Sequence, residues 1–396
     1  MPRSLRVLPP GGGFAGPLRV FSNFYSHWKE GDDESALQWF GERVGDFFPN
    51  RRAYFYSSGK KGLLALAEQI SKKHKKPVVS LSSYTCPDLI ACLAEKNFSF
   101  RFFDIDADSL EPRIEEQHLS SDLLLLSNLF GLADSFPKSV SEKTIVLDDS
   151  CQAALSSSAG KRVGARNNAF GLLSFGRGKS LPGLGGGALL VPKDSDLDFS
   201  QESSSGKPIV SDSLKSVVFW LLQSPWFYRI PSSLPFLGLG QTHYSDSVDT
   251  GKFSIGQVIV AASQLLHIES RASMHAENSA KWVDALGDLD LVQPMLRRAE
   301  QPRASNSPIR YPVMVPQGSE LRNQLYKELT LAGLGVSCSY PRILPSYKEI
   351  DDKIISSEQV GASKVADQIL TLPVHRNVKD RDIELTVQII KKAIQR

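Results

Sequence analysis

The stretch from Thr144 to Lys193, "TIVLDDSCQAALSSSAGKRVGARNNAFGLLSFGRGKSLPGLGGGALLVPK", decides the fold. One apolar run ends there in Asp148 and Asp149, and a second run, "AFGLLSFG", is followed by Lys179 among glycines. Short apolar runs bounded by polar residues are typical of buried parallel strands. The pattern therefore places two acids and a lysine directly after strands of one sheet.

The same rhythm extends upstream, so that Arg52 to Lys193 alternates between strand-like and helix-like segments. The strands are "RAYFY", "PVVSLS", "FSFRFFDID", "DLLLLSN", "KTIVLDD" and "AFGLLSFG", with "GGALLVPK" as a hairpin or edge strand. The helices are "LLALAEQISKKH" and "PDLIACLAEKN". Such alternation predicts an α/β fold with a mostly parallel sheet that is covered on both faces.

The pattern changes after about residue 245. Ser254–Leu286 has apolar residues at three- and four-residue spacing, which predicts one long helix. A strand, "IRYPVMVP", and two amphipathic helices follow. We therefore expect a large domain at 1–245, with an N-terminal arm and an apolar insertion at 201–240, and a smaller α+β domain at 246–396.

Composition limits the possible functions. The net charge is +3, from 46 basic and 43 acidic residues, which is too balanced for a dedicated nucleic-acid binder. The four cysteines form neither a CxxC pair nor a Cys/His ligand spacing, so we expect no metal site and a reducing cytoplasmic setting. The start of the chain lacks the apolar core of a secretory signal.

The segment from Leu214 to Gly240 is unusually rich in apolar and aromatic residues. Its apolar run is interrupted at Pro225 and is shorter than the ~20 residues that cross a bilayer. Lys215 and Arg229 flank its tryptophans, which permits a peripheral position at the inner membrane. A buried helix or a flap over a pocket is the alternative.

In a parallel α/β sheet, ligands bind beyond the carboxyl ends of the strands. The residues that follow the predicted strands are Ser57–Lys61, Ser83–Cys86, Asn128–Gly131, Asp148–Gln152 and Ser174–Lys179. Hydroxyls, carboxylates, amides and a lysine should therefore converge on one rim of the sheet.

The turn "SSGKKG", which contains Ser58, Gly59 and Lys60, joins a predicted strand to a predicted helix. Free N–H groups at the start of that helix favour an anion such as a phosphate. Two other phosphate motifs are disfavoured. "GRGKS" has Leu173 where a P-loop needs its first glycine, and "GLGGGA" precedes a strand where a dinucleotide-binding loop precedes a helix.

Asp149 and Lys179 together suggest pyridoxal 5'-phosphate chemistry. A carboxylate beside a pyridine nitrogen favours the protonated ring, and a lysine holds this cofactor covalently as a Schiff base. We expect burial to lower the pKa of Lys179, so that its amine can also move protons. Gln152 follows the two acids, and Ser174, five residues before Lys179, is within reach of the phosphate.

At these residues the chain resembles the DegT/DnrJ/EryC1/StrS family of sugar aminotransferases, which have the pyridoxal-phosphate-dependent fold type I. "VLDDSCQ" is similar to the family's "V-I-E-D-x-A-Q", and "SFGRGK" to its "S-F-x-x-x-K". The resemblance implies that Asp149 contacts the ring nitrogen, Gln152 the ring oxygen and Ser174 the phosphate, and that Lys179 forms the Schiff base. It extends from about Arg52 to the C-terminus.

The resemblance also implies a homodimer with the site at the subunit interface, and an amino-acid donor, usually glutamate. The acceptor would be a nucleotide-linked keto-sugar of cell-surface polysaccharide or secondary-metabolite biosynthesis. The chain departs from the family at Lys60, which replaces a threonine, and at Cys86, where a stacking aromatic is common. Tyr84 is the alternative stacking residue.

Two other functions remain open. The enzyme could act on a lipid-linked or acyl substrate at a membrane surface, which the Leu214–Gly240 segment would favour. It could also be a catalytically silent relative, which the absent stacking aromatic would favour. A lysine at 179 argues for transamination, because the dehydrating branch of the family has histidine there.

Overall fold

The structure is a computed structural model, and it describes residues 5–12, 33–200, 209–233, 244, 251–299 and 304–396. The predicted N-terminal arm and the ends of the predicted insertion at 201–240 lie partly outside these residues.

An eight-stranded sheet forms the centre of the large domain. Its strands, in spatial order, are β1 (Arg51–Tyr56), β9 (Gly187–Pro192), β8 (Phe170–Ser174), β5 (Ile145–Asp149), β4 (Leu123–Leu126), β2 (Val78–Ser82), β3 (Ser99–Phe103) and β12 (Ile354–Ser357). Strand β9 is antiparallel to both of its neighbours, and the other pairings are parallel. The mostly parallel α/β sheet is therefore confirmed.

One strand prediction is half right. The segment "GGALLVPK" forms β9, which pairs antiparallel with the preceding strand β8 as a hairpin would, but it lies inside the sheet, where all six of its residues are buried, and not at an edge. The close approach that this position requires explains a glycine: a Cβ on Gly187 would lie 2.4 Å from the backbone nitrogen of Gly59. Strand β12 lies at the edge of the sheet beside β3, and its residues belong to the predicted small domain.

Helices cover both faces of the sheet. The helices along the chain are α1 (Asp33–Phe47), α2 (Gly59–Lys73), α3 (Pro87–Glu95), α4 (Ile209–Leu222), α5 (Arg229–Ser232), α6 (Ile255–Leu265), α7 (Ile268–Leu286), α8 (Pro294–Ala299), α9 (Ser319–Leu331), α10 (Val360–Gln368) and α11 (Asp380–Ile394). One core contains side chains of α1 and α6, and the other contains side chains of α2 and α3.

The single helix expected over Ser254–Leu286 is two helices, α6 and α7, which meet at Leu266 and His267. Helix α6 is buried on all sides within the large core, whereas α7 buries only one face. His267 has a φ of −119° and a ψ of 18°, which breaks the helical path. The chain turns here because its apolar pattern changes from all-round to one-sided.

The C-terminal part has its own core around a two-stranded sheet. Strands β11 (Arg310–Met314) and β13 (Ile369–Pro373) pair antiparallel, and Trp282 of α7 packs beside them with α9 and α11. Leu8 of the N-terminal segment joins this core. The domain boundary at 245/246 stays a prediction, but α6 packs with the large core and α7 connects the two cores.

Candidate functional site

A cavity of about 380 Å³ opens at the rim where the parallel strands end. Its lining includes Ser58, Gly59, Lys60, Leu63, Thr85, Cys86, Asp88, Leu89, Cys92, Ser127, Leu129, Asp149, Cys151, Gln152, Leu172, Ser174 and Lys179. All eight residues predicted as site residues are in this set. The cavity is within the range of about 300–1,000 Å³ that is usual for small-molecule sites.

The end of the cavity that suits a phosphate is formed by the start of α2. Ser58 is the N-cap, and its hydroxyl accepts a hydrogen bond of 3.2 Å from the backbone N–H of Lys61. A Cβ on Gly59 would lie 3.2 Å from the Cβ of Ser174 and 3.3 Å from the carbonyl of Leu173. The absence of a side chain therefore lets β8 and the helix start approach, and it keeps N–H groups open to an anion.

Lys60, which the sequence predicts beside the phosphate, forms an ion pair with an acid of the cavity lining. Its Nζ lies 2.7 Å from Oδ1 of Asp88, and both side chains are partly exposed. Asp88 is in the first turn of α3, where a carboxylate also stabilises the helix dipole. The sequence reasoning missed Asp88, although its position one residue after Pro87 marked a helix start.

The two adjacent aspartates have different roles, because successive side chains of a strand point to opposite faces. Asp148 is fully buried away from the cavity lining, and both of its oxygens bind Arg166, at 2.9 Å to Nε and 2.5 Å to Nη2. The backbone N–H of Gly164 and the amide of Asn128 complete its hydrogen bonds. Asp148 is therefore a structural anchor.

Asp149 lines the cavity, and its Oδ1 accepts a hydrogen bond of 2.9 Å from the backbone N–H of Cys151. Burial raises the pKa of its carboxyl above the ordinary value, although Cys151 and the nearby Lys179 oppose the rise. A cationic group placed against Asp149 would stabilise its charged form.

The environment of Lys179 corrects one expectation. Burial alone would lower the pKa of its ammonium, as expected from the sequence. The ionisable groups of Cys86, Cys151 and Asp149 act in the opposite direction, and the pKa of Lys179 lies above its ordinary value. The charged form of Lys179 is thus favoured in this cavity.

Gln152 is held at both ends of its side-chain amide. Its Oε1 accepts a hydrogen bond of 2.8 Å from the N–H of Phe130, and its Nε2 donates one of 2.7 Å to the hydroxyl of Tyr340. An amide nitrogen has two hydrogens, so one remains for a ligand. Tyr340, which the sequence reasoning did not identify, therefore fixes the orientation of Gln152.

Tyr84 does not fill the place of a stacking aromatic. It is fully buried outside the cavity lining, and its ring meets that of Tyr340 edge-on at 5.6 Å. Cys86 does line the cavity, and burial raises the pKa of its thiol, so the neutral thiol is favoured there.

The fit of a polar ligand is supported by one hydroxyl that the sequence reasoning also missed. Ser127, at the end of β4, lines the cavity and is 6% exposed, and its Oγ has no hydrogen-bond partner among the described residues. A buried polar group without a partner costs about 1–3 kcal/mol, so a ligand that bonds to it offsets that cost. Together with the helix start, Asp149 and Lys179, it suits pyridoxal phosphate.

Comparisons with known proteins agree with this reading. The sequence profile of the DegT/DnrJ/EryC1/StrS aminotransferase family matches residues 250–391, so the predicted resemblance is confirmed over that range. The motifs from Ser58 to Lys179 precede this range, and their roles stay predictions. No curated protein sequence matches the chain.

Solved structures confirm the fold type I architecture over nearly the whole chain. A DegT DnrJ EryC1 StrS aminotransferase from Brucella abortus has a TM-score of 0.69 at 18% identity, and the match covers 95% of each chain. DesV from S. venezuelae, solved in complex with a ketimine intermediate, has a TM-score of 0.67 at 15% identity and full coverage of both chains. The E. coli GDP-4-keto-6-deoxy-D-mannose-3-dehydratase with bound hydrated PLP has a TM-score of 0.67 at 14% identity, covering 98% of this chain and 100% of that one.

Proposed function

We propose that this protein is a pyridoxal-phosphate-dependent aminotransferase that moves an amino group from an amino-acid donor, such as glutamate, to a keto acceptor. The observation that carries the proposal is the placement of Asp149 and Lys179 in one cavity with an open helix start and Ser174. The matching family profile and the aminotransferases of the same fold support it.

Each group in the cavity has a part in this chemistry. When bound, the cofactor supplies an aldehyde that condenses with amines and a ring that accepts negative charge. Lys179 would hold it covalently and later carry a proton between substrate and cofactor carbons. The carboxylate of Asp149 would keep the ring nitrogen protonated, because an opposite charge favours the cation.

Other residues would bind and orient the cofactor. The N–H groups at Ser58 and Gly59 and the hydroxyl of Ser174 would take the phosphate, with the charge of Lys60 beside them. Gln152 would donate to the ring oxygen in the orientation that Tyr340 fixes. Cys86 would lie against the ring in place of an aromatic.

The half-reaction tests this proposal directly. Protein loaded with pyridoxal phosphate and mixed with L-glutamate, without an acceptor, should release about one equivalent of 2-oxoglutarate per subunit. Lys179→Ala should release none. Wild-type protein that retains the cofactor but releases no keto acid with any common amino acid would contradict it, and would favour a catalytically silent relative.

The acceptor is proposed to be a nucleotide-linked keto-sugar, because several proteins of the same fold are named for sugar substrates, including the E. coli enzyme described above. Cell-surface polysaccharide or secondary-metabolite synthesis in the cytoplasm is the corresponding setting. A panel of nucleotide-linked 3-keto and 4-keto sugars, assayed by consumption of glutamate, tests this. We also propose a homodimer with the site at its interface, and light scattering of the cofactor-loaded protein at several concentrations tests that.

A lipid-linked acceptor is the second candidate, and one observation favours it. Within 209–233 several large apolar side chains are exposed: Leu214, Val218, Leu221, Trp226, Phe227 and Ile230. The exposed charged residues of the same stretch, Lys215 and Arg229, are both basic. No helix in the described parts of the chain is long and apolar enough to span a membrane. Peripheral contact predicts flotation with anionic vesicles and loss of flotation in Trp226→Ser/Ile230→Ser; a wild-type protein that stays at the bottom of the gradient would contradict it.

A further inference from the structure

A second cavity, of about 630 Å³, lies where the parallel strands of the sheet begin, whereas the cavity described above lies where they end. We call these two ends of the strands the amino edge and the carboxyl edge of the sheet. The second cavity is built where β1 begins and β9 ends, together with the short antiparallel strands β6 (Ser157–Ser158) and β7 (Lys161–Arg162). The lining residues that matter here are Asn50, Arg51, Lys161, Arg162, Asn167 and Lys193. The two cavities therefore share the sheet but no lining residue.

The charge in this second cavity is strongly unbalanced. Of the described residues that line it, four are basic, and Asp194 is the one acid. Arg162 already pairs with Glu269 at 2.5 Å. No ion pair between described residues involves Lys161, Lys193 or Asp194 within 4.0 Å. A concave surface with a surplus of one sign of charge concentrates ions of the opposite sign.

Arg51 at the floor of this cavity is the most informative residue. It is 5% exposed, and its guanidinium donates to backbone carbonyls, at 3.1 Å to Asn50 and 2.9 Å to Asn167. Its Nε–H has no hydrogen-bond acceptor among the described residues, and none of their carboxylates lies within 4.0 Å. Burying a charge without an opposite charge is costly, and an anion would offset that cost.

Two other buried arginines of the protein have carboxylate partners. Arg166 pairs with Asp148 at 2.5 Å, and Arg298 lies 3.1 Å from Asp134 and 3.2 Å from Glu111. These buried guanidinium groups therefore have carboxylate partners within the fold. Arg51 is held by backbone carbonyls, and the charges of Asp148 and Asp194 act on it only from beyond 4.0 Å. The buried Arg271 and Arg322 also lack a carboxylate within that distance among the described residues. Arg51 lines a cavity with three further cations, which is the arrangement expected of a ligand-binding cation.

The polar groups around the charges are also held in place. Asn50 and Asn167 both have left-handed backbone conformations, with φ values of 60° and 46°. Those turns direct their carbonyls to Arg51, and their side-chain amides line the cavity with that of Asn168. Amides supply both donors and acceptors, which suits the hydroxyl groups of a sugar or sugar phosphate.

We propose that this cavity binds a phosphate-bearing small molecule, such as a nucleotide or a sugar phosphate, through Arg51, Lys161 and Lys193. The site is separate from the cofactor cavity and does not depend on the proposed aminotransferase activity. A ligand of this class would bind at the amino edge of the sheet while the reaction proceeds at the carboxyl edge.

Calorimetry on the cofactor-loaded protein tests the proposal, because the phosphate site of the cofactor cavity is then filled. The probes are pyrophosphate, ADP and adenosine, each at about 50 mM and about 300 mM salt. We expect one pyrophosphate or ADP per subunit, weaker binding at high salt, and no binding of adenosine. Tighter binding of ADP than of pyrophosphate would identify a nucleotide, and equal binding would identify the phosphate group alone as the recognised part.

Lys161→Glu/Lys193→Glu should weaken binding at least tenfold, because both lysines are exposed and the change reverses two charges of the lining. Lys392→Glu, at an exposed position outside both cavities, is the matched control and should bind as the wild type does. If the charge-reversed protein melts at a lower temperature, Lys161→Gln/Lys193→Gln replaces it. No binding by the wild type, or equal loss in Lys392→Glu, would overturn the proposal.

Discussion

The two cavities at opposite edges of one sheet differ in how their charges are balanced. At the carboxyl edge, Lys60 lies against Asp88, and Lys179 lies among acidic groups that include Asp149. At the amino edge, a buried Arg51 and two exposed lysines have no acid within ion-pair distance among the described residues. A lysine beside a carboxylate suits a cofactor that this lysine holds covalently, whereas a surplus of cations suits a ligand that is held by charge alone. The following predictions, from the largest effect to the smallest, test this contrast.

Breaking the buried ion pair behind the carboxyl edge should have the largest effect. Arg166→Met leaves the fully buried Asp148 without its cation and should lower the free energy of unfolding by about 3–5 kcal/mol. Urea unfolding of the cofactor-free protein measures this. Arg166→Met/Asp148→Asn is the control and should recover part of the loss, because no buried charge is then unpaired. A loss below about 1 kcal/mol would mean that Asp148 is not an anchor.

Substitution of Asp149, the neighbouring acid, should slow the reaction and leave the stability nearly unchanged. Asp149→Asn should slow the half-reaction with glutamate by about two to three orders of magnitude, as when a preorganised charge partner is removed. Its effect on unfolding should stay within about 1 kcal/mol, because Cys151 is the one hydrogen-bond partner of the Asp149 carboxylate among the described residues. Stopped-flow absorbance follows the half-reaction. An unchanged rate, or a loss of stability equal to that of Arg166→Met, would remove the distinction between the two aspartates.

The pair at the phosphate end should respond in two directions. Lys60→Thr removes a cation beside the expected phosphate and should weaken retention of the cofactor about tenfold, since a charged hydrogen bond contributes about 1.5–3 kcal/mol. Asp88→Asn frees Lys60 from its 2.7 Å ion pair and should strengthen retention by a smaller factor. Dialysis followed by fluorescence measures the retained cofactor. Shifts in the same direction would show that the pair acts only on the fold.

Charge reversal at the amino edge of the sheet should leave the rate of the half-reaction unchanged. Lys161→Glu/Lys193→Glu should have a half-reaction rate within about twofold of the wild type when no anion is added, because these lysines line only the second cavity. A large loss of rate with an unchanged melting temperature would mean that the two edges are coupled.

Much of the carboxyl-edge site was predictable, because its residues follow strands that are recognisable as apolar runs. Ser58, Asp149, Ser174 and Lys179 all lie within five residues of a strand end. The alternation of strand side chains could also have separated Asp148 from Asp149. The pKa of Lys179 could not be predicted, since the thiol of Cys86 and the carboxylate of Asp149 come from different segments.

The second cavity left no local signal in the sequence. Its cations come from Arg51, from Lys161 and Arg162, and from Lys193, which lie up to 142 positions apart (193 minus 51). The antiparallel pairing of β9 with β1 places Arg51 opposite Pro192, and the hydrogen bond from Arg51 to the carbonyl of Asn167 brings in the segment that follows Lys161 and Arg162. The prediction of a hairpin or edge strand at β9 did not include a pairing with β1, so the cavity could not be predicted either.

The central claim is that Lys179 carries the cofactor. Purified protein should show an absorption band in the violet. Borohydride should shift this band and make the bond between the cofactor and the lysine irreversible, and peptide mapping should place the reduced cofactor on Lys179. Lys179→Ala should show no fixed cofactor after the same treatment. A wild-type protein that stays colourless with added pyridoxal phosphate, or a label that maps to another lysine such as Lys60, would contradict the account.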